Sequence, residues 1–150
     1  MSISPKYKYR KFGITKPSEA FPRRLSFSRP VIPIQLINGK DRIGYLAIID
    51  SGADFCVFHA SVGEVIGIDI ESGKKQDFSG VSAQHQPLIA YFHTIQIGVG
   101  GYEFDCWAGF SRDIESLPYG FLGQLGFFSL FNVILDYNKE EIELRLKNKA

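Results

Sequence analysis

Asp50, Ser51 and Gly52 are the residues of this chain best placed, by type and spacing, to do chemistry. They follow the nearly all-apolar stretch 44–49, so a carboxylate leaves a hydrophobic strand at a tight turn. In such a place it is partly withdrawn from water, and its surroundings can set its proton affinity. Gly52 allows close backbone approach, and the Ser51 hydroxyl can fix the loop with a hydrogen bond. A carboxylate held this way is a candidate general acid or base. The same three residue types are also ordinary turn formers, so the triplet alone leaves a plain strand-end turn open. Other reactive residues point to less. His59, His85 and His93 have no ligand spacing, so neither a metal nor another cofactor is expected. Ser51 and Ser82 lie outside any Gly-x-Ser-x-Gly elbow. Cys56 and Cys106 sit among apolar residues and read as two buried free thiols rather than a disulfide, which suits a reducing cytoplasm.

Elements that would position Asp50 are mostly strands. Segment 31–37 alternates and runs into Asn38-Gly39, a favoured two-residue hairpin turn. Stretch 44–49 reads as a strand buried on both faces. Residues 60–66 suggest a short helix with Val62, Val65 and Ile66 on one face. Segments 75–78 and 88–97 are two further strands. Gly100-Gly101 makes a hairpin into 102–110, and no long helix follows Gly98 to hold a phosphate. Residues 124–131 have helical potential, 133–137 form a strand, and 141–146 alternate as a last strand. Trp107 and the phenylalanines read as core. The expected class is a small, mostly β domain with one or two short helices, spanning 31–146 between an N-terminal extension, 1–30, and a short tail, 147–150.

The residues around Asp50 narrow this further. Ala47-Ile48-Ile49-Asp50-Ser51-Gly52-Ala53-Asp54 resembles the signature of the retropepsin-like aspartic proteases, two apolar residues, then Asp-Thr/Ser-Gly-Ala/Ser. Phe121-Leu122-Gly123 resembles that family's second signature, two apolar residues and a glycine, and Val133-Ile134-Leu135-Asp136-Tyr137 follows as its strand would. The resemblance also extends to a bacterial branch with a basic N-terminal extension. It implies a closed β-barrel (the acid-protease half-fold) and Asp50, Ser51 and Gly52 as catalytic-loop residues. It also implies substrate contacts from Ala53 and Asp54, and from a flap whose tip carries Gly80, Val81 and Ser82. Only one Asp-Ser-Gly is present, so the chemistry the resemblance implies needs a C2 homodimer that brings two copies of Asp50 together. Two features depart from retroviral members. Gln124 stands where Arg is usual, leaving Asp54 without its partner, and the flap has Gly80 as its only glycine.

Composition sets the bounds. The 150 residues, 45% hydrophobic, suffice for one domain with a sizeable core. No apolar run approaches the roughly 20 residues of a membrane-spanning helix, and no secretory signal is evident. The net charge of +1 hides an asymmetry, because Lys6, Lys8, Arg10, Lys11, Lys16, Arg23, Arg24 and Arg29 face Glu19 alone in residues 1–30. That basic arm reads either as a solvated extension or as a segment lying on the acidic body of its own or a neighbouring subunit. A nucleic-acid contact is the lesser alternative. Three functions follow in order of expectation. The first is a homodimeric endopeptidase with a peptide or protein substrate and a pocket of aliphatic side chains. A non-catalytic dimer of the same fold that only binds a peptide or protein is the second, and a nucleic-acid-binding barrel the third.

Overall fold

The structure, a computed structural model, describes residues 4–79 and 87–147. Among these residues, twelve strands form three sheets. The arm supplies β1 (Lys6–Lys8), β2 (Arg10–Gly13) and β3 (Ser26–Arg29). The main sheet contains β4 (Val31–Asn38), β5 (Asp41–Ile49), β6 (Val57–His59), β7 (Lys74–Phe78), β8 (Leu88–Val99), β9 (Tyr102–Ser111) and β10 (Gly120–Leu122). Its order is β4-β5-β10-β6-β9-β8-β7, and β8 also pairs with β4, so hydrogen bonding returns on itself around a ring. Strands β11 (Phe131–Asp136) and β12 (Glu141–Leu146) join β1 in a separate sheet of order β1-β12-β11. The fold is mostly β, with α1 (Ala60–Val65) its one α-helix among the described residues and a 3-10 turn at Ile70–Ser72.

Alternation places the core. Ile32, Ile34 and Leu36 of β4 point inward while Pro33 and Gln35 point out. Pro33 is tolerated because β8 reaches only Gln35–Ile37, leaving β4 unpaired on that side at the proline. Inward residues of the ring meet Phe58, Phe110 and Leu122, and Phe127, Phe131, Ile142 and Leu144 from the C-terminal segment close the same cluster. Gly100 and Gly101, at φ +54° and +89°, make the turn between β8 and β9, since a two-residue hairpin of this hand needs positive φ.

Four local expectations are corrected. The first hairpin turns at Gly39-Lys40, with Asn38 and Asp41 as its closing pair. Gly39 supplies the positive φ (+63°), while the Asn38 amide donates to the Ile66 carbonyl at 2.9 Å instead. The 44–49 stretch is not buried on both faces. Ala47 and Ile49 are buried, Tyr45, Leu46 and Ile48 are half-buried, and Gly44 is exposed, because only one face of β5 meets the core. Helix α1 buries Ala60 and Gly63, followed by Ile66, and leaves Val65 69% exposed. Residues 124–130 form consecutive turns rather than a helix, since Gly126 takes φ +101°. Phe128 and Ser129 then donate five residues back, to Gly123 and Gln124.

Residues ahead of Val31 lie on the body of their own chain. Strand β1 pairs antiparallel with β12, and Lys6 and Lys8 approach Glu143 and Glu141 at 3.7 and 3.6 Å. The β2–β3 hairpin is held through Arg29, whose guanidinium lies 5.1 Å from the centre of the Phe12 ring and donates to the Tyr119 hydroxyl at 3.3 Å. These exposed pairs contribute little each. The backbone pairing of β1 does more.

Phe127 is fully buried and stacks 5.2 Å from Phe131. It pins the turns that lead into β11. Phe127→Ala is expected to cost about 3–5 kcal/mol, measured as a fall in the urea midpoint with unchanged slope. A loss below about 1 kcal/mol would show that this ring does not secure the C-terminal sheet.

Candidate active site

Asp50 stands at the end of β5, and its geometry follows from two short segments that meet there. Strand β10 runs parallel to β5, with Phe121 opposite Ile48 and Leu122 opposite Ile49. The ladder ends as the Asp50 amide donates to the Leu122 carbonyl at 3.0 Å. The chain then turns. Ala53 N–H donates to the Asp50 carbonyl at 3.2 Å, and Gly52 N–H donates to Asp50 Oδ1 at 2.9 Å. Any Asp at a strand end can make that last bond. The clamp from the second segment distinguishes this turn.

Gln124 and Leu125 donate their backbone amides to the carbonyls of Ala53 and Asp54, at 2.8 and 2.9 Å. The Gln124 side chain donates to the Ser51 carbonyl at 2.6 Å. Residues 51, 53 and 54 are therefore all held from one stretch some seventy positions away in sequence. The approach is possible only because position 123 is glycine. A Cβ there would lie 2.3 Å from the Phe55 carbonyl oxygen and 2.7 Å from that of Ala53. The departure at Gln124 thus has a local answer: instead of an ion pair with Asp54, a neutral amide holds the backbone at Ser51.

What the clamp leaves available is the carboxylate. Asp50 is partly exposed, and its second oxygen has no hydrogen-bond partner among the described residues. Ser51 and Gly52 are exposed, Ala53 is half-buried and Asp54 exposed. The five residues expected from the first signature thus share one loop. Gly80, Val81 and Ser82 lie outside the described residues. The strands leading to them, β7 and β8, pair antiparallel up to Phe78 opposite Leu88.

Phe55, next along the loop, introduces a feature the sequence reading missed. It bridges to Leu125 and packs edge-on against Phe92 (4.9 Å) and Phe78 (6.0 Å). Phe55, Phe92, Trp107, Leu125 and Gly126, with Lys74, Lys75 and Gln76 of β7, line an open cleft of about 260 Å³. Phe55, Phe92 and Trp107 give it an aromatic wall. Trp107 is 52% exposed and Leu125 66%, so the core assignment of Trp107 is corrected. The signal was present in the alternation of β9, where Cys106 and Ala108 are buried and Trp107 between them must face outward.

Histidines and thiols take structural parts. His59 Nε2 donates to the Leu117 carbonyl at 2.8 Å, which leaves Nδ1 to accept from the Tyr45 hydroxyl. Burial pushes the Tyr45 phenol well above its ordinary value, so it stays a donor. His93 Nε2 donates to the Ile70 carbonyl at 2.9 Å. Cys56 and Cys106 are buried free thiols; the Cys56 thiol donates to the Leu125 carbonyl at 3.7 Å, and the neighbouring Cys56 thiol together with burial pushes the Cys106 thiol up. No cluster of three or more metal-binding side chains occurs among the described residues. None of the helices there is long and apolar enough to cross a membrane.

Gly123→Ala is expected to cost about 1–3 kcal/mol by forced displacement of the Phe55 and Ala53 carbonyls, against about 0.5–1.5 kcal/mol for Gln124→Ala, which removes one hydrogen bond. Chemical denaturation of the two variants measures the order. Equal losses would mean that the close approach at Gly123 is not what holds the loop.

No protein-family model and no curated protein matches this sequence. Among solved structures, the chain is similar to the crystal structure of a retropepsin-like aspartic protease from Rickettsia conorii. The two share 14% identity at a TM-score of 0.55, with 96% of this chain and 96% of that chain covered. EIAV protease complexed with the inhibitor HBY-793 also aligns, at 16% identity and a TM-score of 0.45, over 64% of this chain and 82% of that one. With the Rickettsia likeness spanning nearly the whole chain, the architecture around Asp50 is the retropepsin-like fold.

Proposed function

We propose that the chain is an aspartic endopeptidase that acts as a homodimer, with the two copies of Asp50 as its catalytic carboxylates. The observation that carries this reading is the clamped, partly exposed Asp50 loop, present once in a chain of retropepsin-like fold. A clamp of this kind holds a carboxylate still while leaving its second oxygen open to water and substrate, which is what acid–base catalysis requires.

Peptide hydrolysis by carboxylates needs two of them sharing one proton. One takes a proton from the attacking water, and the other donates to the oxygen of the scissile carbonyl as the tetrahedral species forms. Collapse of that species returns a proton to the leaving amine. A single chain holds half of this set, so a second copy supplies the other Asp50 across a two-fold axis. Rate should then follow a bell-shaped pH profile governed by two macroscopic constants of the pair, assignable to neither residue alone. Ser51, exposed beside Asp50, offers its hydroxyl to hold the two loops together. Substrate lies extended between the loop and the β7–β8 hairpin. The carbonyl of Gly52 and the residues Ala53 and Asp54 contact its backbone, and Gly80, Val81 and Ser82, outside the described residues, are the remaining proposed substrate contacts. The aromatic cleft beside Phe55 takes one of its apolar side chains.

Asp50→Asn is expected to lower cleavage of an unfolded protein substrate by about a thousandfold or more, with unchanged thermal midpoint and oligomeric state. Cleavage by that variant at the wild-type rate would sink the proposal. Tight peptide binding with no cleavage by the wild type would instead favour a binding module.

A further inference from the structure

We propose that β11 is the edge along which two copies of this chain join. The strand pairs antiparallel with itself about a two-fold axis through Ile134 and fuses the two C-terminal sheets into one, three strands from each chain. The inference rests on the dimeric reading above and says how that dimer is built.

Three strands of the C-terminal sheet could meet a second copy, and two are unsuited. Strand β12 lies between β1 and β11 and has hydrogen bonds to both, so it has no edge to offer. Strand β1 is an edge of three residues, Lys6–Lys8. Pairing it with its own copy would bring Lys6 and Lys8 against lysines, and charged residues on a short edge are how sheets resist such pairing. Strand β11 has the opposite character. It is six residues long, pairs only with β12, and its other side is unpaired among the described residues. It exposes Ile134 by 41% and Leu135 by 46%, and Tyr137 just beyond it is 64% exposed. A long apolar edge without a gatekeeper charge in its middle invites another strand.

Symmetry fixes the register. In an antiparallel pair, opposed residues share a face of the sheet. A two-fold axis normal to the sheet therefore sets one residue opposite its own copy. Centring on Ile134 places Val133 against the second copy's Leu135 and Asn132 against its Asp136. Every such pair is apolar or amide-to-carboxylate, with no like charges opposed. The pairing also reaches the site. The turns between Gly123 and β11 are tied by Phe128 N–H to the Gly123 carbonyl at 3.2 Å and by Ser129 N–H to the Gln124 carbonyl at 3.0 Å. Gly123 and Gln124 are the residues that grip the Asp50 loop. Fixing β11 across an axis thus fixes both Asp50 loops about the same axis.

Three variants of the full chain test this. Ile134→Lys sets a charge against its copy at the centre of the seam. It is expected to convert the dimer to monomer by sedimentation velocity and to abolish cleavage with it, with an unchanged circular dichroism spectrum. Val65→Lys, at a more exposed apolar site on α1, is expected to stay dimeric and active. Ile134→Cys is expected to form a reductant-sensitive covalent dimer under mild oxidation, because opposed Cα atoms about 4.5–5.5 Å apart are within disulfide reach. A dimer that survives Ile134→Lys, or a dimeric Ile134→Cys chain that does not cross-link, overturns the edge assignment. If Ile134→Lys fails to fold, the cross-link alone decides. An Ile134→Cys chain that cross-links, beside a wild type that cleaves nothing, overturns the proposed activity and leaves the seam standing. Cleavage by the wild type, beside an Ile134→Lys variant that remains dimeric, does the reverse, and a monomeric wild type overturns both.

Discussion

Any side chain at position 123 would place its Cβ 2.3 Å from one backbone carbonyl of the Asp50 loop and 2.7 Å from another, and much of the molecule is organised around that closeness. Because the two segments lie backbone to backbone, the amides of Gln124 and Leu125 reach the Ala53 and Asp54 carbonyls, and the Leu122 carbonyl reaches the Asp50 amide. Parallel strands such as β5 and β10 cannot be joined by a hairpin, so nothing local would keep their ends together. The close approach does so instead. It converts two strand ends distant in sequence into one rigid platform with a carboxylate on it.

The other end of β10 is secured by different chemistry. Strand β10 is only three residues long and would be weakly held by its ladder alone. Upstream of it, the Tyr45 hydroxyl accepts from the His59 amide at 3.0 Å and donates to that residue's ring, whose far nitrogen donates to the Leu117 carbonyl. This buried chain joins β5, β6 and the segment entering β10. Gly120 lies against the Tyr45 ring, and a Cβ there would come within 2.4 Å of the hydroxyl. Each donor and acceptor in the chain has a partner, so burial adds rigidity without an unsatisfied polar group. A strand too short to be stable by itself is thus fixed at both ends, and its downstream end carries the grip on Asp50.

Much of this was legible in sequence because it depends on short-range pattern. Alternation revealed β4 and β12, Gly100-Gly101 marked a real hairpin, and the two apolar-apolar signatures pointed to segments that do meet. What was not legible depends on tertiary context. Nothing local distinguishes 124–130 from a short helix until Gly126 is seen at positive φ and Leu125 is seen bridged to Phe55. The role of Gln124 was invisible because its partner is a backbone carbonyl, which sequence never names. The burial of 44–49 was over-read since an apolar run records composition, while exposure depends on which neighbours arrive. Trp107 was misjudged for the reverse reason: residue type was weighed above the alternation that set its direction.

The arm changes how the chain can assemble. By lying along β12 it completes the C-terminal sheet from within one molecule, and Ile142 and Leu144 of that sheet belong to the single core that also holds Leu36, Phe58 and Phe110. Folding therefore does not wait for a second copy: the central strand of the sheet is already covered on both sides, and its inner face is buried. An exchange of terminal strands between chains would have to displace β1 and lose bonds already made. In the dimer proposed above, association is left to an edge, which contributes its hydrogen bonds and apolar contacts only when two folded chains meet. On the proposed reading, the fold is a property of one chain and the acid–base pair a property of two. Concentration then controls activity through the fraction of dimer and adds to stability only by mass action, in contrast to obligate dimers whose monomers do not fold.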